Sequence, residues 1–141
     1  MPVADTFLDS NILLYTISPS EPAKQKIAIS IVSSALKDSN AVISAQVVQE
    51  CLNVGTGKLE RAVPGSVRTW LSAYLMPLCT VFPSENLYLR AIDVKSRYGI
   101  SFYDACIVAA ALQAQVKTLL TEDLQDGQVI EDLTIKNPFR V

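Results

Sequence analysis

Three aspartates lie at the ends of apolar segments, where a carboxylate could do chemistry. Asp9 and Asp123 each follow a short apolar run, and Asp104 lies near the start of a longer apolar stretch at 102–112. A carboxylate at the mouth of a buried element loses hydration, and pairing, hydrogen bonding or metal binding must offset that cost. Because the chain contains no histidine, several such carboxylates indicate a hard cation held by oxygen ligands.

The composition is that of one compact domain over residues 1–141. Half of the residues are hydrophobic (50%) and 18% are charged, so the chain can bury a core without disulfides. The formal net charge of −2 gives no basic footprint for sequence-independent nucleic-acid binding. Any contact with nucleic acid must therefore be local and assisted by metal. The absence of histidine also excludes a serine or cysteine nucleophile activated by a histidine base.

The cysteines and the N-terminus indicate a cytoplasmic protein. Cys51, Cys79 and Cys106 are odd in number, form no C-x-x-C pair and lie in apolar contexts, so we expect buried, reduced thiols. The first residues lack the basic region of a signal peptide. The longest apolar run, Ala105–Leu112, is too short to cross a membrane.

Strand-like and helix-like segments alternate along the chain. Strands are predicted at 3–8, 41–43, 79–82 and 117–120, with short pieces near 129–131 and 133–135. Helices are predicted at 11–17, 20–37 with Ser20 as N-cap, 44–53, 64–75, 84–98 and from Ser101 through the apolar stretch. This alternation predicts a three-layer α/β/α fold with a mainly parallel sheet covered on both faces. Sites in such folds form beyond the carboxyl ends of the strands, where Asp9 and Asp123 lie.

Each acid also has a purely structural interpretation. Asp9 could be only the N-cap of the next helix, and Asp104 could close a capping box with Ser101. Glu50 shares a polar helix face with neighbouring amides, which is typical of a solvated surface. Asp123 lies in a stretch of ordinary loop composition.

A cluster of the four acids would be stronger evidence for a metal site than any single acid, because like charges repel. Two unscreened carboxylates about 4 Å apart repel by about 4 kcal/mol at an effective dielectric constant of about 20. Four clustered carboxylates would therefore need cations, and oxygen ligands favour Mg²⁺ or Mn²⁺ over zinc. A pair of such ions suits in-line displacement at phosphorus.

With the acids placed, the chain resembles the PIN domain family and, within it, the VapC-type toxins of bacterial toxin–antitoxin pairs. The matching stretches cover nearly the whole chain and are Phe7–Tyr15, Ile43–Glu50, Ser101–Ala111 and Leu119–Gly127. The resemblance implies a PIN-like fold and a metal-dependent endoribonuclease that hydrolyses RNA phosphodiester bonds with Mg²⁺-activated water.

The resemblance also implies which residues form the site. The family's four catalytic, metal-binding acids fall on Asp9, Glu50, Asp104 and Asp123. Three further residues are expected to support these acids, with Asn11 orienting Asp9 by a hydrogen bond, and they are Ser10, Asn11 and Thr121. Many members carry D-x-D-F at the fourth acid, whereas here Asp126 follows Asp123 by three residues, so Asp126 is expected to shape the turn.

The expected partners are RNA, an antitoxin protein and a second copy of the chain. Lys58, Arg61 and Arg68 are candidate phosphate contacts, although each could equally be ordinary solvated surface. The antitoxin would lie beside the early helices, where Ile12, Leu13, Tyr15 and the apolar face of 23–36 could contribute. In a monomer those residues would simply be core.

Two other functions stay open from the sequence. One is a PIN-like scaffold or binding module with weak or no catalysis. The other is a phosphomonoester hydrolase with a similar acidic pocket.

Overall fold

A six-stranded sheet forms the centre of the computed structural model, which describes residues 4–140. The strands are β1 (Thr6–Leu8), β2 (Ala41–Ser44), β3 (Cys79–Val81), β4 (Thr118–Leu120), β5 (Val129–Ile130) and β6 (Leu133–Lys136). Their order is β3-β2-β1-β4-β6-β5, and only the β5–β6 pair is antiparallel. The mainly parallel sheet is confirmed, and the first residue of the predicted strand 3–8 lies outside the described residues.

Six helices flank the sheet, as expected for the α/β class. They are α1 (Ser10–Tyr15), α2 (Pro22–Asp38), α3 (Ala45–Gly55), α4 (Val67–Trp70), α5 (Glu85–Tyr98) and α6 (Phe102–Gln113). The chain moves from β1 to β2 to β3 toward one edge and then returns across the sheet to β4. Right-handed crossovers therefore place α1–α4 on one face and α5–α6 on the other. The packing agrees, since α1 contacts α2 and α3 while α5 contacts α6.

The buried core explains the apolar patterns of the sequence. Phe7 and Leu8 of β1 are fully buried at the middle of the sheet. In α6 every residue of Ala105–Leu112 is buried, which confirms the interpretation of a helix that is apolar on all sides. None of the helices in residues 4–140 has both the length and the apolar character needed to span a membrane.

All three cysteines are free thiols. Cys51 and Cys106 are buried as expected, whereas Cys79 at the start of β3 is only partly buried. Burial raises the pKa of each thiol, and most strongly that of Cys51.

Three of the serines that the sequence places at helix starts are N-caps in the structure, and a fourth, Ser20, is not. The hydroxyls of Ser44, Ser84 and Ser101 each accept the N–H of the residue three positions later. Ser20 does not cap α2, because the Glu21 N–H donates to the Ser18 carbonyl and places Ser20 inside a turn.

The helix predicted at 64–75 begins at Val67 and does not stay α-helical to its end. Gly65 adopts a left-handed φ of 71°, which interrupts a helix, and Ser66 then caps α4. The chain continues from α4 as a π-helical turn at Leu71–Leu75 and a 3₁₀ turn at Met76–Leu78. A further 3₁₀ turn occupies Glu60–Ala62.

The last residue of α3, Gly55, is required by packing. A Cβ at this position would lie 2.7 Å from Cζ3 of Trp70, whose side chain is only 2% exposed. We expect Gly55→Ala to lower the free energy of unfolding by about 1–3 kcal/mol in urea denaturation, because the indole must move.

A double-mutant cycle with Trp70→Phe checks this cause. The smaller ring should relieve part of the cost of Gly55→Ala. Strictly additive effects of the two substitutions would contradict a steric origin.

Candidate active site

Asp9 is a buried carboxylate at the carboxyl end of β1. It is 4% exposed, and its Oδ1 accepts the Ser10 N–H at 2.7 Å while its Oδ2 accepts the Thr121 hydroxyl at 2.8 Å. The N-cap interpretation is therefore correct as far as it goes, since Asp9 precedes α1 and accepts from its first residue. The pKa of Asp9 is raised to about 6, mainly by burial. The hydrogen bonds from Thr121 and Ser10 lower this pKa, and the charges of Glu50 and Asp123 add to the rise.

Thr121 and Asn11 join Asp9 to Asp123. The fully buried Thr121 hydroxyl donates to Asp9 and accepts the Asp123 N–H at 3.1 Å and the Asn11 Nδ2 at 3.3 Å. The same Asn11 nitrogen lies 3.2 Å from Oδ2 of Asp123. Asn11 therefore donates to Asp123 and to Thr121, and it is linked to Asp9 through the Thr121 hydroxyl.

Glu50 faces the other acids from α3. Burial raises its pKa, the hydrogen bonds from Ser10 and Gln46 lower it, and the charges of Asp104 and Asp123 raise it. Its Oε1 is buried and has no hydrogen-bond partner among residues 4–140. A solvated helix face does not explain such an atom, so the surface interpretation of Glu50 is wrong.

Asp104 lies in the first turn of α6, where a carboxylate is favoured by the helix dipole. Its N–H donates to the Ser101 hydroxyl at 3.1 Å, which is the serine half of the expected capping box. Its charge acts on Glu50, so it stands on the same side of the site.

The acids influence one another in pairs, since the charges of Glu50 and Asp123 act on Asp9 and those of Asp104 and Asp123 act on Glu50. Within residues 4–140, however, no three acidic, histidine or cysteine side chains stand close enough together to hold a metal ion alone. The unpartnered Glu50 Oε1 and the mutually repelling charges nevertheless fit a divalent cation.

A second network beside the site was missed from the sequence. The Tyr15 hydroxyl donates to Glu122, and Lys24 Nζ lies 2.9 Å from the other Glu122 oxygen. Lys24 also lies 4.9 Å from the centre of the Tyr15 ring, which packs edge-on against Phe139. The negative charge of Glu122, the residue before Asp123, is therefore balanced by Lys24. Local sequence patterns could not reveal this pair, because the two residues lie 98 positions apart.

Asp126 contacts Asn137 and Arg140. Its Oδ1 accepts the Asn137 N–H at 2.8 Å, and its Oδ2 lies 3.6 Å from Arg140. These contacts agree with the expectation of a structural turn residue.

The three candidate phosphate contacts are all exposed, and they differ in position. Lys58 lines a cavity together with Asn11, and Arg61 lines the adjoining one. Arg68 lies on α4 and lines neither cavity.

The expected antitoxin residues are partly core. Ile12 and Leu13 are almost completely buried, so their interpretation as a binding surface is corrected. Tyr15 is engaged with Glu122 and Phe139. An apolar groove does open on this face between α2 and α4, and its lining includes the exposed Ile29 and Tyr74.

A comparison with family models finds the PIN domain over residues 6–126. The chain belongs to the PIN domain family. Proteins of this family are generally nucleases and typically use divalent metal ions. No curated protein matches the chain in sequence.

Solved structures with the same fold include a toxin–antitoxin complex. A toxin–antitoxin complex from Klebsiella pneumoniae matches with a TM-score of 0.66 and 18% identity over 96% of this chain and 99% of that chain. FitAcB from Neisseria gonorrhoeae matches with a TM-score of 0.63 and 21% identity over 96% and 99%. VapBC2 from Rickettsia felis, bound to a promoter DNA fragment, matches with a TM-score of 0.63 and 20% identity over 94% and 97%. At these identities the likeness establishes the fold.

The raised pKa of Asp9 makes stability depend on pH. The folded-state pKa of about 6 exceeds the ordinary value of 3.8, so the stabilising protonated form is lost as the pH rises through 6. We expect the unfolding free energy of the metal-free protein to fall by up to about 3 kcal/mol as the pH rises from below 3.8 to above 6. Asp9→Asn should remove most of that loss, as measured by urea unfolding at a series of pH values.

Asp132→Asn, which changes an exposed acid, is the matched control. An Asp9→Asn protein that is less stable than its parent well above pH 6 would show that the carboxylate is not a net cost to the fold.

The Thr121 hydroxyl should hold the pKa of Asp9 down. Thr121→Val removes this donor to the carboxylate, so we expect the pKa of Asp9 to rise above that of the parent in a carboxyl ¹³C NMR titration. Thr121→Ser retains a hydroxyl and should leave the pKa near the parental value. An unchanged pKa in the valine variant would mean that the hydrogen bond contributes nothing.

Proposed function

We propose that this protein is a metal-dependent endoribonuclease that acts as the toxin of a toxin–antitoxin pair. The observation that carries the proposal is a pair of buried acidic groups, since Asp9 is 4% exposed and the Glu50 Oε1 is buried with no hydrogen-bond partner among residues 4–140. Burial first, and neighbouring acidic charges after it, raise the pKa of both side chains. Groups that disfavour one another's charge persist at sites where a function requires them. Membership of the PIN domain family supports nuclease chemistry for that function.

Asp9, Glu50, Asp104 and Asp123 are the proposed catalytic acids and the ligands of Mg²⁺ or Mn²⁺. When bound, the ion would lower the pKa of a water molecule and stabilise charge on the phosphate. Asp9 is held by the Ser10 N–H and the Thr121 hydroxyl, which aim its remaining lone pairs into the site. Asn11 holds Asp123 in the same way.

The proposed substrate is single-stranded or looped RNA. A recessed acidic site is reached by a backbone that can bend into it, which a regular duplex cannot do. Lys58 is the favoured phosphate contact because it shares a cavity with Asn11, and Arg61 adjoins it. Arg68 lies farther along the chain on α4, and we propose it only as a more distant phosphate contact.

An antitoxin protein is the proposed inhibitor. The toxin–antitoxin complex that shares the fold supports this partner. The groove between α2 and α4 is apolar and is bordered by Ile29 and Tyr74, so it suits the apolar face of a partner helix.

A homodimer of single PIN domains, each spanning 1–141 and acting in the cytoplasm, completes the proposal. Leu89 and Ile92 lie three positions apart on α5 and are both exposed, which places an apolar stripe on one helix face. Such a stripe suits a contact with a second copy.

Removal of single acids tests the catalytic assignment. We expect Asp104→Asn and Glu50→Gln each to reduce cleavage of RNA in Mg²⁺ or Mn²⁺ by at least about a hundredfold, since a lost ligand removes transition-state charge stabilisation. A fluorescent single-stranded RNA gives the rate, and circular dichroism checks the fold. Asp93→Asn, an exposed acid on α5, is the control.

Parental cleavage rates in Asp104→Asn and Glu50→Gln would contradict the site. Hydrolysis of a chromogenic phosphomonoester in place of RNA would favour the monoester hydrolase. The absence of both activities, together with the absence of carboxylate-dependent Mn²⁺ binding, would favour the scaffold.

A further inference from the structure

An uncharged cleft of about 430 Å³ lies beside the acids. It is lined by aromatic, aliphatic and amide side chains, and none of its lining residues among 4–140 is charged. The residues on which the inference rests are Ser44, Gln46, Gln49, Phe82, Phe102 and Tyr103.

The topology makes this cleft continuous with the proposed catalytic site. The cleft lies beyond the carboxyl ends of β2 and β3, while Asp9 and Asp123 follow β1 and β4. All four strands are parallel, so both regions occupy one edge of the sheet. Adjacent strands are about 5 Å apart, so the cleft begins within about 10 Å of Asp9.

The chain itself joins the two regions at two places. Gln49 precedes Glu50, and Phe102 and Tyr103 precede Asp104. The Gln46 side chain links the helix that carries Glu50 to the start of α6, because its Nε2 donates to the Tyr103 carbonyl at 3.2 Å. A ligand in the cleft would therefore be positioned against two of the proposed catalytic acids.

The lining suits a flat, uncharged, hydrogen-bonding ligand. Tyr103 is 71% exposed and Phe82 is 54% exposed, which is unusual for large rings unless they have a partner. Exposed rings are stacking platforms for unpaired bases of any identity. The side-chain amides and the Ser44 hydroxyl can donate to and accept from the edge of a base.

We propose that this cleft binds an unstacked nucleobase of the RNA, in a nucleotide next to the phosphate at the acids. The inference rests on the proposed nuclease function and adds to it a subsite that contacts a base. Tyr88 of the lining adjoins the stripe of Leu89 and Ile92 on α5, but the Gln46 and Gln49 amides suit a hydrogen-bonding ligand better than the apolar face of a second copy. The concave shape with convergent amides is instead that of a small-ligand pocket.

Binding to a short fluorescent oligoribonucleotide tests the proposal. In an Asp104→Asn background, which prevents cleavage, we expect Tyr103→Ala and Phe82→Ala each to weaken binding about tenfold in fluorescence anisotropy. Tyr103→Phe should bind like the background because it keeps the ring. Val129→Ala is the matched control. Val129 is a similarly exposed apolar residue (59%) on β5, the outermost strand on the side of the sheet away from β3.

An oligomer of the same length with abasic positions separates base contacts from phosphate contacts. The cleft variants should bind it as the background does, because it offers no ring to stack. Equal losses on both oligomers, or no loss on the base-containing one, would overturn the inference. Sedimentation that shows the variants to have lost a dimer, with affinity following the monomer fraction, would also overturn it in favour of a second copy.

Cleavage by the unmodified protein keeps the two proposals distinguishable. If that protein cleaves RNA while the cleft variants bind normally, the base subsite is wrong and the nuclease stands. If the unmodified protein neither cleaves nor binds the oligoribonucleotide, both are wrong.

Discussion

The site depends on a carboxylate that is buried among other carboxylates. Asp9 is 4% exposed, and only two hydrogen bonds offset the hydration that it loses. Glu50 and Asp123 add repulsion, so the pKa of Asp9 settles near 6. An apolar residue at this position would avoid that cost, and the proposed role in metal binding accounts for the carboxylate.

The rest of the fold holds this group in place. β1 lies in the middle of the sheet, and its neighbours β2 and β4 end beside it. β4 delivers Thr121 and Asp123, β2 leads into the helix that carries Glu50, and the buried α6 presents Asp104. Because these elements are packed into one core, the fold fixes the backbone positions from which the acids extend.

Local sequence signals predicted the elements well and the contacts poorly. The caps at Ser44, Ser84 and Ser101 and the apolar helix around Asp104 follow from short-range rules. The failures at Ser20 and at the start of α4 arose where a turn or a left-handed glycine competed with the cap signal.

The side-chain networks of the site depend on long-range register. The bond between Thr121 and Asp9 joins residues 112 positions apart, and the Glu122 cluster is similarly remote. Resemblance to a family indicated that Thr121 and Asn11 belong to the site, while their partners required the three-dimensional structure. No sequence signal linked Tyr15 or Lys24 to Glu122.

Thermal unfolding with and without Mn²⁺ tests most directly whether the acids form an anionic site that a divalent ion relieves. An ion that binds only the folded state adds about 2.7 kcal/mol of stability at about a hundred times its dissociation constant, so the midpoint should rise with Mn²⁺ concentration. The rise should shrink in Glu50→Gln and persist in Glu131→Gln, which changes an exposed acid outside the site. A midpoint that does not respond to Mn²⁺, or that responds equally in both variants, would contradict the account.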